Sequence, residues 1–262
     1  MINEKKVYEY IVNAIREHVK HADLDGVVIG VSGGIDSSLV SAMAIDAIGA
    51  DRVHLVSVPS KYSSQGSIND AKHLAQGAGA SFEILPIHSI HDAYDDLLHL
   101  TGVPDENLQA RIRGTMLMSV ANGMGKYAVL NTCNKTEDLI GYFTLYGDSI
   151  GVLSPLGDLY KKDVYALAKW RNSVSPIIPE NSIIKPPSAE LSEGQLDSDD
   201  LPEYEVLDNV LEHIVKKDKS IDELIEIYGE ETVHRIEYLM KRAQWKLGQC
   251  PPVVSIEHLR ER

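Results

Sequence analysis

The chain has 262 residues, 44% of them hydrophobic, enough for one sizeable core or a core with a small appendage and too few for two full-sized catalytic domains. Lys and Arg number 25 against 39 Asp and Glu, and the resulting formal charge of -14 argues against any general attraction to a nucleic acid polymer. Only Cys133 and Cys250 are present, which excludes a disulfide framework and a zinc site of paired cysteines and fits a reducing cytoplasm.

Near the start, Val7, Ile11, Ile15 and Val19 recur every four residues and predict a helix with one buried stripe. The same stretch lacks an apolar core followed by a cleavage site, and no later apolar run approaches the roughly 18 residues of a membrane span, so a protein without leader or membrane contact is expected. Residues 26–31 form a short run rich in β-branched side chains, followed by a Ser-Gly-Gly turn and an Ala-rich helical stretch over 37–48. The alternation continues with strands at 53–58, 82–85 and 127–130 and helices at 67–76 and 107–121. Such units predict an α/β fold, a doubly wound parallel sheet with helices on both faces, forming one domain over 1–262.

His88, His91 and His99 lie in a strand-to-loop setting without paired carboxylates, so they are expected to be solvated or capping rather than metal-bound. Beyond Trp170, prolines at 176, 179, 186 and 187 and an acidic stretch to Asp200 interrupt regular structure. Residues 176–202 therefore read as a long loop, either a mobile lid or a solvated connection. Helical patterns resume over 204–217, 221–228 and 232–247 and are expected to pack onto the sheet.

The informative loop is Gly30-Val31-Ser32-Gly33-Gly34-Ile35-Asp36-Ser37-Ser38, between the first strand and its helix, where open α/β sheets bind ligands. Two glycines let backbone N–H groups approach an anion, the serines are expected to add hydroxyl donors, and the helix start adds a partial positive charge. A pyrophosphate cradle is the natural occupant. Asp36 sharpens this, because a carboxylate roughly 4 Å from a phosphate costs on the order of 4 kcal/mol at an effective dielectric near 20, so a cation such as Mg²⁺ must intervene. The loop lacks the Gly-Lys-Ser/Thr ending of a Walker loop, so transfer of a γ-phosphate is not implied.

The string Ser32-Gly-Gly-Ile-Asp-Ser37 resembles the signature of the ATP-pyrophosphatase superfamily, whose members cleave ATP between its α- and β-phosphates. Three further stretches, Asn134-Lys-Thr-Glu137, Gly141-Tyr-Phe-Thr-Leu-Tyr-Gly-Asp148 and Pro155-Leu-Gly-Asp-Leu-Tyr-Lys161, resemble the NAD synthetase family. So do Asn107-Leu-Gln-Ala-Arg111-Ile-Arg113 and Lys185-Pro-Pro-Ser188-Ala-Glu190-Leu191, so the resemblance covers nearly the whole chain. It implies ATP-dependent amidation of nicotinic acid adenine dinucleotide (deamido-NAD) through an acyl adenylate, in a homodimer. By position it implies Mg²⁺ on Asp36 and Glu137, ATP on the 30–38 loop, Thr132, Lys161 and Ser188, and deamido-NAD on Arg111, Glu137, Trp245 and Lys246.

Asp36, Lys161 and Asp148 are the catalytic candidates, with Asp148 either orienting ammonia or serving as a turn residue. Arg111 and Arg113 lie two apart on a helix and so face different ways, which makes one a ligand candidate and the other structural. Ammonia-dependent members carry Lys where Leu145 stands and Asp where Val152 stands, and a basic residue where Leu247 stands. The wording of the motifs is closer to the synthetase domain of the glutamine-dependent branch, yet only about 30 residues precede the Ser-Gly-Gly loop and neither cysteine has the context of a glutaminase nucleophile. Ammonia, free or from a separate amidase subunit, is therefore the expected nitrogen donor. The alternatives are another amide-forming synthetase of the GMP type and a non-catalytic nucleotide-binding subunit.

Overall fold

A computed structural model describes residues 2–260. The chain opens with helix α1 (Glu4–His21), whose N-cap Asn3 accepts from Lys6 N–H and whose stripe Val7, Ile11, Ile15 and Val19 is buried, as the spacing of four predicts. Strand β1 (Gly26–Gly30) runs into α2 (Ile35–Ile48), β2 (Val53–Ser57) into α3 (Gln65–Ala78), and β3 (Ser81–Ile84) into α4 (His88–Leu98) and α5 (Val103–Gly123). Strand β4 (Tyr127–Val129) leads to α6 (Lys135–Ile140) and, after a run of turns, to α7 (Lys161–Val174). The remaining helices are α8 (Glu180–Ile184), α9 (Tyr204–Lys216), α10 (Ile221–Tyr228) and α11 (Glu230–Leu247).

The four strands are parallel in the order β3-β2-β1-β4. Side chains of β1 alternate between two apolar layers. Val27 and Ile29 face α1, α2 and α7, whereas Val28 faces α5 through Leu117 and Ala121. Burying both faces is what allows β1 to read as an unbroken apolar run, whereas the edge strand β3 is largely exposed, and each fully enclosed Ile or Leu contributes about 1.5–3 kcal/mol. Because β2 lies on one side of β1 and β4 on the other, the order reverses beside β1 and leaves a crevice between the carboxyl ends of β1 and β4.

Three expectations are corrected. Helices α9, α10 and α11 do not pack onto the sheet; their apolar faces (Leu207, Val210, Leu211, Leu224, Val233, Ile236) form a second core with Ile140 of α6 and with Tyr160 at the start of α7. The 176–202 stretch is not a plain loop, since it contains α8 and a 3-10 turn at Asp197–Asp199 and is tied down by Asn181 to Asp70 at 2.6 Å and by Glu190 to Ser64 and Ser67. His88 and His99 are exposed at the two ends of α4, but His91 is buried and bonded through Nε2 to Asp105 at 2.6 Å. No described helix is long and apolar enough to cross a membrane.

Candidate active site

The turn after β1 is shaped by its glycines. Gly33 has φ +77, and a Cβ there would stand 2.2 Å from the carbonyl oxygen of Ser67, so the loop lies directly against the first turn of α3. Contrary to expectation, two serine hydroxyls are committed inside the turn: Ser37 donates to Gly34 O at 3.2 Å and Ser38 to the same oxygen at 2.8 Å. Ser32 remains exposed, and its Oγ accepts from Gly34 N–H at 3.2 Å. Backbone N–H groups and the α2 start therefore carry most of the loop's capacity for an anion.

Asp36, in the first turn of α2, faces α6 across the crevice. Its Oδ1 accepts from the Asn134 side-chain amide at 2.9 Å and its Oδ2 from Lys161 Nζ at 2.6 Å. Lys161 also donates to Glu137 Oε1 at 3.2 Å, so its ammonium sits between two carboxylates. Glu137 is positioned by a capping box, in which Asn134 Oδ1 accepts from Glu137 N–H at 3.0 Å and Glu137 Oε2 accepts from Asn134 N–H at 3.2 Å. The Lys161 main chain is held as well: its N–H donates to Thr136 Oγ1 at 3.0 Å, and Thr136 in turn donates to the buried Asp208 of α9.

Electrostatics follow from enclosure. The Lys161 side chain is 3% exposed; burial alone would lower its pKa, but Asp36 and Glu137 outweigh that and raise it, keeping the ammonium charged. Burial raises the Glu137 pKa, Asp36 reinforces the rise, and Lys161 opposes it. Two carboxylates converging on one cation are a donor set suited to Mg²⁺, which takes one or two protein carboxylates together with phosphate oxygens.

Asp148 occupies a second part of the cleft. It is reached by solvent yet ringed by protein, and the enclosure raises its pKa against the Thr144 N–H, which donates to its Oδ2 at 2.8 Å, and against Arg113 and Lys246. Lys246 donates to the carbonyls of Gly141 and Phe143 at 2.9 and 2.6 Å, and Arg111, exposed, donates through Nε to Leu145 O at 3.2 Å. Both cations thus line the 141–145 segment. Trp245 is 64% exposed on α11, and Thr132 is partly buried just past β4; neither side chain takes part in the hydrogen bonds of Asp36, Glu137 and Lys161. Ser188 donates to Gln195 O and accepts from Glu190 N–H at 3.1 Å, which folds the 188–195 loop on itself. Burial pushes the Cys133 thiol pKa well up, consistent with an inert core cysteine.

Several contributors lay outside the expected set. Asn134 carries the link between Asp36 and Glu137, a role that the Asn-x-x-Glu capping pattern signals in retrospect. Asp197 and Tyr204 had no sequence signal: the Tyr204 hydroxyl donates to Asp197 Oδ2 at 2.7 Å while its ring lies 5.0 Å from Lys161 Nζ.

A family model described as NAD synthase matches residues 7–250. The glutamine-dependent NAD(+) synthetase of Rhodobacter capsulatus is 42% identical over 261 residues, covering 94% of this chain and 47% of that protein. The chain thus spans about half the length of such relatives. Among solved structures, an NH3-dependent NAD synthetase from Campylobacter jejuni superposes with a TM-score of 0.78 at 28% identity, over 97% of this chain and 100% of the other. An NMN synthetase from Francisella tularensis superposes with a TM-score of 0.82 at 26% identity, over 94% and 97%.

Proposed function

The chain belongs to the NAD synthase family, and from that premise we propose that it amidates deamido-NAD to NAD with ATP and ammonia, releasing AMP and pyrophosphate. The observation that carries this is the convergence of Asp36, Glu137 and Lys161 beside the Ser-Gly-Gly turn, at the point where the strand order reverses. Such a site is built for the α- and β-phosphates of a nucleotide rather than for γ-phosphate transfer.

In the first step an oxygen of the nicotinate carboxylate attacks the α-phosphorus of ATP; the bond from that phosphorus to the bridging oxygen breaks, and pyrophosphate leaves. In the second step ammonia attacks the acyl carbon and gives up a proton, and AMP departs with the electron pair of the acyl–oxygen bond. The 30–38 loop, Thr132 and Ser188 hold ATP; Arg111, Glu137, Trp245 and Lys246 hold the dinucleotide; Asp36 and Glu137 would hold Mg²⁺. When bound, that ion neutralises charge on the phosphate oxygens. Lys161, already ionised, stabilises negative charge developing on the phosphoryl oxygens. Asp148, with its raised pKa, orients ammonia and takes up its proton. Alignment of two bound nucleotides supplies much of the remaining acceleration. A homodimer acting in the cytoplasm, with ammonia free or delivered by an amidase unit, completes the proposal.

The test is an AMP-release assay with deamido-NAD, nicotinic acid mononucleotide and xanthosine monophosphate as acceptors, each with ammonium or glutamine. AMP formation with deamido-NAD and ammonium is expected. Formation with the mononucleotide alone would move the acceptor to the smaller nucleotide, with xanthosine monophosphate alone to a synthetase of the GMP type. ATP binding without AMP release for any acceptor would leave a nucleotide-binding subunit.

A further inference from the structure

Arg113 projects from α5 on a different side from Arg111, and its surroundings are unusual for a guanidinium. Its Nε donates to the carbonyl of Val58, just past the carboxyl end of β2, at 3.0 Å. Among the described residues no carboxylate lies within 4.0 Å of it and no protein acceptor takes its two terminal nitrogens. Burial pulls its pKa down, while Asp148 and Glu190 raise it from a distance. Those two acids are already engaged: Asp148 accepts from Thr144 N–H at 2.8 Å, and Glu190 accepts from the Ser64 N–H and the hydroxyls of Ser64 and Ser67.

Arg113 is half-buried, so solvent still reaches it, and its planar fork of donors, unengaged by protein, matches two oxygens of a carboxyl or phosphoryl group. The setting, at the carboxyl edge of the sheet and within electrostatic reach of Asp148, is where the nucleotides of the proposed reaction would meet. We propose that Arg113 is a substrate-binding residue whose terminal nitrogens clasp an anionic oxygen pair on one of the two nucleotides. Arg111, at the exposed rim, then serves the outer part of the dinucleotide, and the two arginines of the motif hold different groups rather than one being a strut.

The inference rests on the proposed amidation for the identity of the nucleotides. Its test is calorimetric titration of wild type, Arg113→Lys and Arg113→Gln with MgATP and, separately, with deamido-NAD, alongside melting temperatures. Lysine keeps a donor for Val58 O and the charge but lacks the fork, so it separates binding from support of the fold. Affinity for at least one nucleotide is expected to fall about tenfold to a hundredfold in Arg113→Gln, and by a smaller factor in Arg113→Lys at unchanged melting temperature. A fall confined to MgATP assigns the clasp to its phosphates, and a fall confined to deamido-NAD assigns it to that dinucleotide. Variants that bind both within twofold of wild type overturn the inference, including any that only lose thermal stability. Should Arg113→Gln not fold, Arg113→Lys decides alone. If wild type binds neither nucleotide, the proposed function falls and this inference with it.

Discussion

The side-chain amide of Asn134 donates to Asp36 Oδ1 at 2.9 Å across 98 residues of sequence, joining the turn after β1 to the helix after β4. The same residue caps α6 through Glu137, so one side chain sets the positions of both carboxylates. Asn134→Ala is expected to lose about 1 kcal/mol of stability as a lost cap. Turnover should fall by a further tenfold to a hundredfold, roughly, because Asp36 and Glu137 are no longer held in register. Urea denaturation and AMP release measure the two effects separately, and unchanged turnover would show that Asn134 is a cap alone.

Asp36→Ala removes one of two carboxylates from Lys161 but leaves Glu137 in contact with it. Pyrophosphate release should fall by on the order of a thousandfold, with a melting temperature close to wild type. Normal turnover in this variant would reject the proposed role of the turn.

Gly33→Ala places a Cβ 2.2 Å from Ser67 O at φ +77. Strain of about 1–3 kcal/mol is expected, and relief requires the turn to move away from α3. Titration with MgATP should show a loss of affinity that accompanies the lower denaturation midpoint. Full retention of both would mean that the turn tolerates a displacement its contacts oppose.

Burial, reinforced by Asp148, raises the Asp138 carboxyl from 3.8 to about 7. A raised carboxyl favours the folded state only while protonated, so its contribution is intact below the unfolded pKa near 4 and is lost as pH climbs through about 7. Asp138→Asn, which cannot ionise, should therefore be more stable than wild type at about pH 8 and should match it at or below about pH 4. The same variant removes a negative neighbour of Asp148 and should shift the acidic limb of the pH–rate profile downward. Equal stability at the higher pH would show that Asp138 ionises without cost.

Asp208 is fully buried and accepts from Lys162 N–H at 2.7 Å and from the Thr136 hydroxyl. Asp208→Ala leaves both donors without a partner, a cost on the order of 3 kcal/mol. Because Thr136 in turn accepts from Lys161 N–H, kcat should also fall. A stability loss with unaltered kcat would restrict Asp208 to joining α6 and α7 to α9.

Local patterns account for what was legible in the sequence. The stripe on α1, the apolar strands and the glycine turn follow from side-chain periods of 3.6 and 2 and from backbone conformations that only certain residues adopt. Such signals act over a few residues, so they survive in a linear string. The motif around Glu137 was readable for the same reason, since its capping box closes within four residues.

The amino-acid sequence by itself determined the α/β class, the strand-turn-helix that presents Asp36, and the family whose motifs the chain carries. Only the tertiary structure decided that Lys161 reaches Asp36 across 125 positions and Glu137 across 24, and that Asp197 and Tyr204 close over it. It also placed α9, α10 and α11 against α6 and the start of α7 rather than against the sheet, and left the half-buried Arg113 with no carboxylate within 4.0 Å among the described residues. An apolar stripe announces that a helix face will be buried but carries no address for its partner. Likewise a charged residue takes its meaning from the groups that the fold brings around it, because desolvation and Coulomb attraction act through space and not along the chain.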